Sequence, residues 1–412
     1  MNRQLSLLSL VCVLAVCVSA MAGDWPQWRG PQRNGVAGQT PQALPAEKPE
    51  WTMDMLGECH AGIAAADGKV LVPDYGKQTD ALYCLEAKTG KKIWAYSVPN
   101  TEEMDYNAGA RITPLIANGK VYMVNAFGQM VCLNLADGKK VYAVDFVDGY
   151  DAAVPEWGFS GSPMIADGKL IVPVGGKDAT LVALEPATGK LIWKAKGSGM
   201  GYASPVIGTL GGVVQVVTYD DYGVNGWELK TGKKLWAIEP EEAWDYSVPS
   251  PLLVNGKLLT VHSSWAQLFE FKDGGKINDE PIATNEDVYT EMDTPVLLGD
   301  KVLASGGGLF LLDPEKKLKV LWKDYDNELY LSGMTHIIAG KDKALVFSEP
   351  GNVGLVTLQA DGKLKLEGTR KLADKTWAAP AMMDGRIFIR DSKKLYCYPV
   401  KTEAIKPAKA SE

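Results

Sequence analysis

From about residue 55 to 400 the chain alternates short apolar runs with Gly-centred polar turns, and the alternation is itself periodic. Residues 162–166 are one such apolar run, and Asp167-Gly168-Lys169 a tight turn. Residues 170–174 form a second run, and 180–185 a third with apolar side chains at alternate positions. Pro186-Ala187-Thr188-Gly189 turns the chain again before Lys190-Leu191-Ile192-Trp193. Apolar residues every second position place one strand face on a core, and Gly accepts the positive φ of a hairpin turn. The unit therefore predicts four antiparallel strands. The same turns return at Asn118-Gly119, Asn255-Gly256 and Asp384-Gly385, and at Thr89-Gly90, Asp137-Gly138 and Thr231-Gly232.

The units begin at Thr113-Pro114, Ser162-Pro163, Ser204-Pro205, Ser250-Pro251, Thr294-Pro295, Thr335-His336 and Ala379-Pro380, with a degenerate copy near Ala61. Their spacing is roughly 41 to 49 residues. Eight four-stranded units of this period predict an all-β, eight-bladed β-propeller. The last unit lacks a fourth strand after residue 398, and a matching segment with Trp51 lies at residues 48–53. The N-terminal strand should thus close the ring and cover an open sheet edge. Trp94, Trp193, Trp236 and Trp322, with Tyr142 substituting once, recur on the fourth strand and should pack between blades.

The repeat overrides the multi-domain expectation that 412 residues would otherwise raise. It divides the chain into a signal at 1–22, an N-terminal extension at 23–46, one propeller at 47–400 and a flexible tail at 401–412. The signal reading rests on Arg3, the apolar run 5–18 and small residues up to Ala22. It predicts a periplasmic or secreted protein. Lipid anchoring at Cys17 is the weaker reading, because Val16 is bulky where a small residue is expected. No later stretch is long and apolar enough for a transmembrane helix. Net charge is -7, which argues against nucleic-acid or anionic-lipid partners. Beyond the signal, Cys84, Cys132 and Cys397 share one repeat position and read as small core residues; with Cys59 their disulfide state is open. His60, His262 and His336 show no metal-type spacing.

The runs at 81–94, 181–193 and 226–236 share Glu-Xaa-Xaa-Thr-Gly-Lys-Xaa-Xaa-Trp, and on it they resemble the Ala/Leu-Xaa-Leu-(Asp/Glu)-Xaa-Xaa-Thr-Gly-Lys-Xaa-Xaa-Trp repeats of pyrroloquinoline-quinone (PQQ)-type propellers. That family includes quinoprotein alcohol and glucose dehydrogenases and the non-enzymatic assembly lipoprotein BamB, whose architecture the chain resembles. The opening Asp24-Trp25-Pro26-Gln27-Trp28-Arg29-Gly30-Pro31 resembles the start of many exported PQQ-like repeat proteins, with no assigned chemistry. The resemblance implies, for an enzyme, PQQ against a tryptophan, a Ca²⁺ ion held by carboxylates and amides, and an Asp base. The chain has neither the adjacent cysteine pair of many such alcohol dehydrogenases nor a Cys-Xaa-Xaa-Cys-His haem motif. No catalytic residue and no metal site is therefore assigned.

Binding belongs on the non-repeating loops between blades. Those loops interleave aromatic and charged residues, and the candidates for a ligand or partner are Tyr106, Arg111, Glu156, Trp157, Tyr202, Trp244, Asp245, Tyr246, Tyr289 and Trp377. Glu102, Asp105, Asp148, Glu156, Asp245, Glu291 and Asp293 could supply oxygens to a calcium ion, though no calcium-loop pattern links them. The leading expectation is an exported, non-catalytic scaffold without a cofactor. It would bind an envelope or extracellular protein, a peptide or a glycan. The alternative is a PQQ/Ca²⁺-dependent sugar or alcohol dehydrogenase.

Overall fold

The computed structural model describes residues 23–239, 248–290, 292–325, 329 and 333–405. Eight four-stranded antiparallel sheets follow one another along the chain. The third blade is representative, with strands Met164–Ala166, Lys169–Gly176, Ala179–Leu184 and Leu191–Ala195. Its first hairpin turns through Asp167 and Gly168, at φ 46 and 69. Positive φ at both central turn residues matches the strand twist of a two-residue hairpin. The expected ring closure is also observed. Trp51–Asp54 pairs antiparallel with Lys394–Pro399, so the N-terminal strand is the outer strand of the eighth blade.

The Thr-Gly turns and the outer-strand aromatics are two halves of one contact. In the second blade Gly138 lies under Trp94 of the first, and a Cβ there would stand 2.7 Å from the indole. Gly189 takes Tyr142 in the same way, Gly232 takes Trp193, and Gly90 takes Trp51, each at 2.6 Å. The ring nitrogens then find carbonyls on the neighbouring blade. Trp94 Nε1 donates to Leu135 O at 2.9 Å, Trp193 Nε1 to Leu229 O at 3.1 Å and Trp51 Nε1 to Ala87 O at 3.0 Å. Trp236 departs from this pattern. Its Nε1 donates to Gln215 Oε1 of its own blade, and its ring meets Phe271 edge-on.

Hydrophobic clusters fill the wedges between blades. Cys84 and Cys132 lie in one of them and Cys397 in another, as small core residues, and all four described cysteines are free and buried. The expected flexible tail is corrected at its start. Thr402–Ala404 pairs with Gln39–Pro41, so the two ends of the chain hold each other before residue 406, where the described residues stop.

Candidate functional site

The Ser/Thr-Pro starts of the units form a belt around the propeller axis. The Thr113 N–H donates to Ser162 Oγ at 3.1 Å, Ser162 N–H to Ser204 Oγ at 3.0 Å, Ser204 N–H to Ser250 Oγ at 3.1 Å and Ser250 N–H to Thr294 Oγ1 at 3.0 Å. Each hydroxyl thereby satisfies a buried backbone donor of the preceding blade. Near the seventh blade a carboxylate takes over, as Thr335 N–H donates to Asp293 Oδ1 at 2.6 Å.

The N-terminal extension fills the axis inside this belt. Trp25 exchanges backbone hydrogen bonds with Ala65 on the inner strand of the first blade. Ala37 and Gly35 bond Ala339 on the inner strand of the seventh. Between these anchors two arginines reach the prolyl carbonyls of the unit starts. Arg33 donates from Nε to Pro205 O at 2.7 Å, from Nη1 to Pro163 O at 3.0 Å and from Nη2 to Ser162 O at 2.9 Å. Arg29 Nη2 donates to Asn34 O at 3.1 Å and to Pro295 O. Burial draws both guanidiniums down to about 9, so both remain cationic at neutral pH. Residues 24–37 are thus an axial plug, and the opening motif has a structural task that its sequence does not disclose.

A cavity of about 370 Å³ lies above the plug. Trp25, Trp28 and Arg29 form its floor, and the hydroxyls of the belt ring its wall. Two aromatic groups rise from the inter-blade loops. Trp377 lies 4.8 Å from His60 and 5.2 Å from Tyr106, centroid to centroid. Trp157 and Tyr202 lie 5.2 Å apart. Lower down, Trp28 meets His336 edge-on at 6.2 Å. His336 Nε2 is 2.9 Å from Trp377 O, which fixes Nε2–H as the donor and leaves the lone pair on Nδ1. Burial holds His60 and His336 down to about 4, so both imidazoles are neutral at pH 7.

Half of the loop candidates converge here. Tyr106, Arg111, Trp157, Tyr202 and Trp377 line the cavity. Arg111 is a loop organiser, because its donors go to carbonyls of Gly109 at 2.5 Å, Asn107 at 2.6 Å, Trp157 at 3.1 Å and Asp105 at 3.2 Å. These bonds hold Tyr106 and Asn107 at φ 59 and 66. Glu156 and Tyr289 are exposed and do not line the cavity. Trp244, Asp245 and Tyr246 lie outside the described residues. Trp25, Trp28, Arg29 and His336 are the additions that the loop argument missed.

Of the candidate calcium carboxylates, Glu102, Asp105, Asp148 and Glu156 are exposed on the loops, and Asp245 and Glu291 lie outside the described residues. Among the described residues no Asp, Glu, Asn or Gln lines the cavity, and no cluster of three or more His, Cys, Asp or Glu side chains could hold a metal. Asp293 is turned into the protein, bonded to Ser305 Oγ at 2.7 Å and to the Thr335 N–H. Calcium needs six to eight oxygens, and the side-chain oxygens among the described lining residues are hydroxyls. The neutral histidines are weak proton acceptors, and among the described residues no carboxylate lines the cavity beside them.

Comparison with known proteins gives two sets of relatives. The outer membrane protein assembly factor BamB of Shewanella oneidensis is 22% identical over 307 residues, covering 68% of this chain and 72% of that protein. The quinoprotein alcohol dehydrogenase PedH of Pseudomonas putida is 29% identical over 160 residues, covering 35% of this chain and 25% of that protein. Among solved structures, a europium-containing methanol dehydrogenase superposes with a TM-score of 0.70 at 12% identity, over 93% of this chain and 99% of that one. BamB from Moraxella catarrhalis superposes with a TM-score of 0.60 at 14% identity, over 85% of this chain and 99% of that one. These superpositions show a shared fold. The sequence profile of the family described as outer membrane protein assembly factor BamB matches residues 45–154 and 141–313. Since those segments span more than half of the chain, the protein belongs to that family of PQQ-type propellers.

Proposed function

We propose that this propeller binds a planar, anionic small molecule in its axial cavity, with a PQQ-type quinone as the first candidate occupant. The observation that carries the reading is the lining itself. Aromatic rings stand around a space of about 370 Å³ that holds a buried guanidinium and no described carboxylate. Pockets of this size and apolar character, with a few placed polar groups, are typical small-molecule sites. The fold likeness to quinoprotein dehydrogenases supports the quinone. A bound quinone would supply a two-electron acceptor. Trp377 and Trp157 would hold its faces, and Arg29 its negative charge. Turnover of sugars or alcohols is not part of the proposal; among the described residues no carboxylate lines the cavity.

A second reading is a binding scaffold for a protein, peptide or glycan on the loop face. The BamB relatives support it. So do Tyr106 and Tyr289, 59% and 52% exposed on that face. A periplasmic or secreted location agrees with the family, and no helix among the described residues is long and apolar enough to cross a membrane.

Calorimetric titration of the purified protein with PQQ, with and without Ca²⁺, separates these readings. Saturable binding near one per chain, indifferent to Ca²⁺, is expected. No binding at tens of micromolar would remove the quinone and leave the loop-face scaffold. Dye reduction by sugars or alcohols with PQQ and Ca²⁺ would restore the dehydrogenase.

A further inference from the structure

The wedge between the first two blades holds a pocket of about 200 Å³ that shares no lining residue with the axial cavity. Its lining follows the two-residue strand period. Leu82, Met123 and Val131 lie two positions further from the loop face than Asp80, Asn125 and Gln129, so each pair shares a strand face. Tyr96 pairs with Leu82 across one ladder, and Ala143 with Val131 across another. The pocket is thus apolar at depth and polar towards the loops, where Asp145 joins the other three.

The loop chemistry explains why this wedge stays open. The connection leaving the second blade buries Phe146 and Phe159, which meet edge-on at 5.4 Å. The one leaving the third blade lays Met200 against Gly175. The connection leaving the first blade, residues 100–112, contributes only Ala110 to its wedge. Its Met104 reaches Gly158 instead, and its Glu102 and Glu103 are exposed.

Both acids of the lining lack a paired cation. Asp80 is 9% exposed; its Oδ2 accepts from Asn100 Nδ2 at 2.8 Å, and its Oδ1 is enclosed without a partner among the described residues. Burial pushes its carboxyl up to about 6, so at neutral pH it is mainly the carboxylate. Asp145 is half-buried, and its Oδ1 accepts from the Val147 and Asp148 N–H groups. Among the described residues neither acid forms a salt bridge, and no Lys or Arg lines the pocket. Arg111 opposes the Asp80 charge, but its donors are spent on carbonyls. Lys77 is exposed in the adjoining turn and does not line the pocket. An apolar space under a negative rim favours a cation with an apolar body.

We propose that this inter-blade pocket is a second ligand site, and that it takes an arylalkyl ammonium, its ring among Tyr96, Met123 and Val131 and its cation towards Asp145 and Asp80. Tyr96 and Met123 favour a ring over an alkyl chain. Asp145 is the carboxylate within reach; Asp80 acts through its field, since its free oxygen is enclosed.

The probes are phenethylammonium, the neutral phenethyl alcohol and the anion hydrocinnamate, followed by ligand-observed NMR and calorimetry on the full protein. Phenethylammonium should saturate at a Kd of about 1 mM, about tenfold tighter than hydrocinnamate. In D80N/D145N the amides keep the Asn100 bond and the helix cap, and the ammonium should bind only within about twofold of phenethyl alcohol. V131W fills the pocket and should lose both, whereas W377A, in the axial cavity, should lose neither. Loss in W377A with retention in V131W would put the cation in the axial cavity and overturn the assignment, as would equal binding of ammonium and hydrocinnamate. Should V131W fail to fold, the double amide variant decides alone, and an undiminished preference for the ammonium there sinks the site. Phe-Gly-Gly amide carries the same group at a peptide end. Tighter binding than phenethylammonium would name a chain N-terminus as the source, and weaker binding a free amine. Whether PQQ binds the axial cavity leaves these results untouched, because the two sites share no residue.

Discussion

The indole of Trp51 occupies the space into which a Cβ on Gly90 would project, 2.6 Å from its ring carbons. These residues belong to the last and first blades, so the contact closes the ring from the outside. Arg390 closes it from the inside. Its Nη1 donates to Pro73 O at 2.5 Å, and its Nη2 pairs with Asp74 at 3.2 Å, both on the first blade. The seam therefore has a ladder, an aromatic seat and a buried ion pair, and the seat is the part most sensitive to one added methyl.

G90A should destabilise the protein by about 2 to 4 kcal/mol, because the new Cβ meets a ring and φ is +70. Gly68 has the same backbone, φ +69, with nothing within 4 Å, so G68A should cost only about 1 kcal/mol. In a W51A background the G90A penalty should fall to the G68A value, since the obstructing ring is gone. Denaturant unfolding of the four variants checks this. An undiminished G90A penalty without Trp51 would mean that backbone strain alone sets its size.

The repeat was legible because blades reuse one pattern. Trp51 could be assigned to the eighth blade from its match to Trp94 and Trp193, long before any contact was visible. The plug was not legible, because residues 24–37 have no period, and their partners are carbonyls of Pro163, Pro205 and Pro295 more than a hundred residues away. Backbone carbonyls leave no mark in a sequence. The Ser/Thr-Pro starts were visible as punctuation. Their belt depends on one blade's hydroxyl meeting another's N–H, which spacing along the chain does not report. Among the loop carboxylates Asp293 was illegible for a related reason. Asp293 reads as a rim residue by position, but its side chain turns inward to Ser305 and Thr335.

Arg33 should govern the seating of the plug more than the stability of the ring. R33M leaves the carbonyls of Pro205, Pro163 and Ser162 without their shared donor. Each unmatched buried acceptor costs about 1 to 3 kcal/mol, enough to open a short segment locally. Limited proteolysis should then cut near residues 26–34 many times faster than in wild type, while the global unfolding midpoint moves little. R33K should behave like R33M, because an ammonium cannot serve three carbonyls in a planar fork. A coincident loss of plug and ring would show that the plug is part of the folding core.

Asp293 should give stability an unusual dependence on pH. Burial pushes its carboxyl up to about 7. The folded protein therefore binds a proton there that the unfolded chain has already lost, and the Asp293 contribution falls as pH rises from about 4 to about 7. Burial pushes Asp80 up to about 6, with the same sign over a narrower window. His60, His262 and His336 act oppositely. Held down to about 4, they favour the folded state more as pH rises from about 4 to about 6.5. The difference between wild type and D293N isolates the carboxyl. It should shift in favour of the variant by a few kcal/mol across that range and level off above about pH 7. A pH-independent difference would place the Asp293 carboxyl in the ordinary range.

Trp377 separates the small-molecule reading from the loop-face reading. Its ring stacks near His60 and Tyr106, with the Lys375 ammonium 5.6 Å from the ring centroid, while its backbone oxygen holds His336. W377A removes the ring and keeps the carbonyl, so His336 stays oriented and the fold should change little. Loss of a stacking face should cost a planar ligand about 1 to 3 kcal/mol of affinity, roughly ten- to a hundredfold, and W377F should recover part of it. Tyr289 is the matching control. It is exposed on the same face but outside the cavity, so Y289A should leave PQQ binding unchanged. Capture of an envelope protein or glycan that weakens in Y289A and is indifferent to W377A would reverse the order of the two readings. The loop rim would then be the working surface, and the aromatic chamber would be packing around the plug.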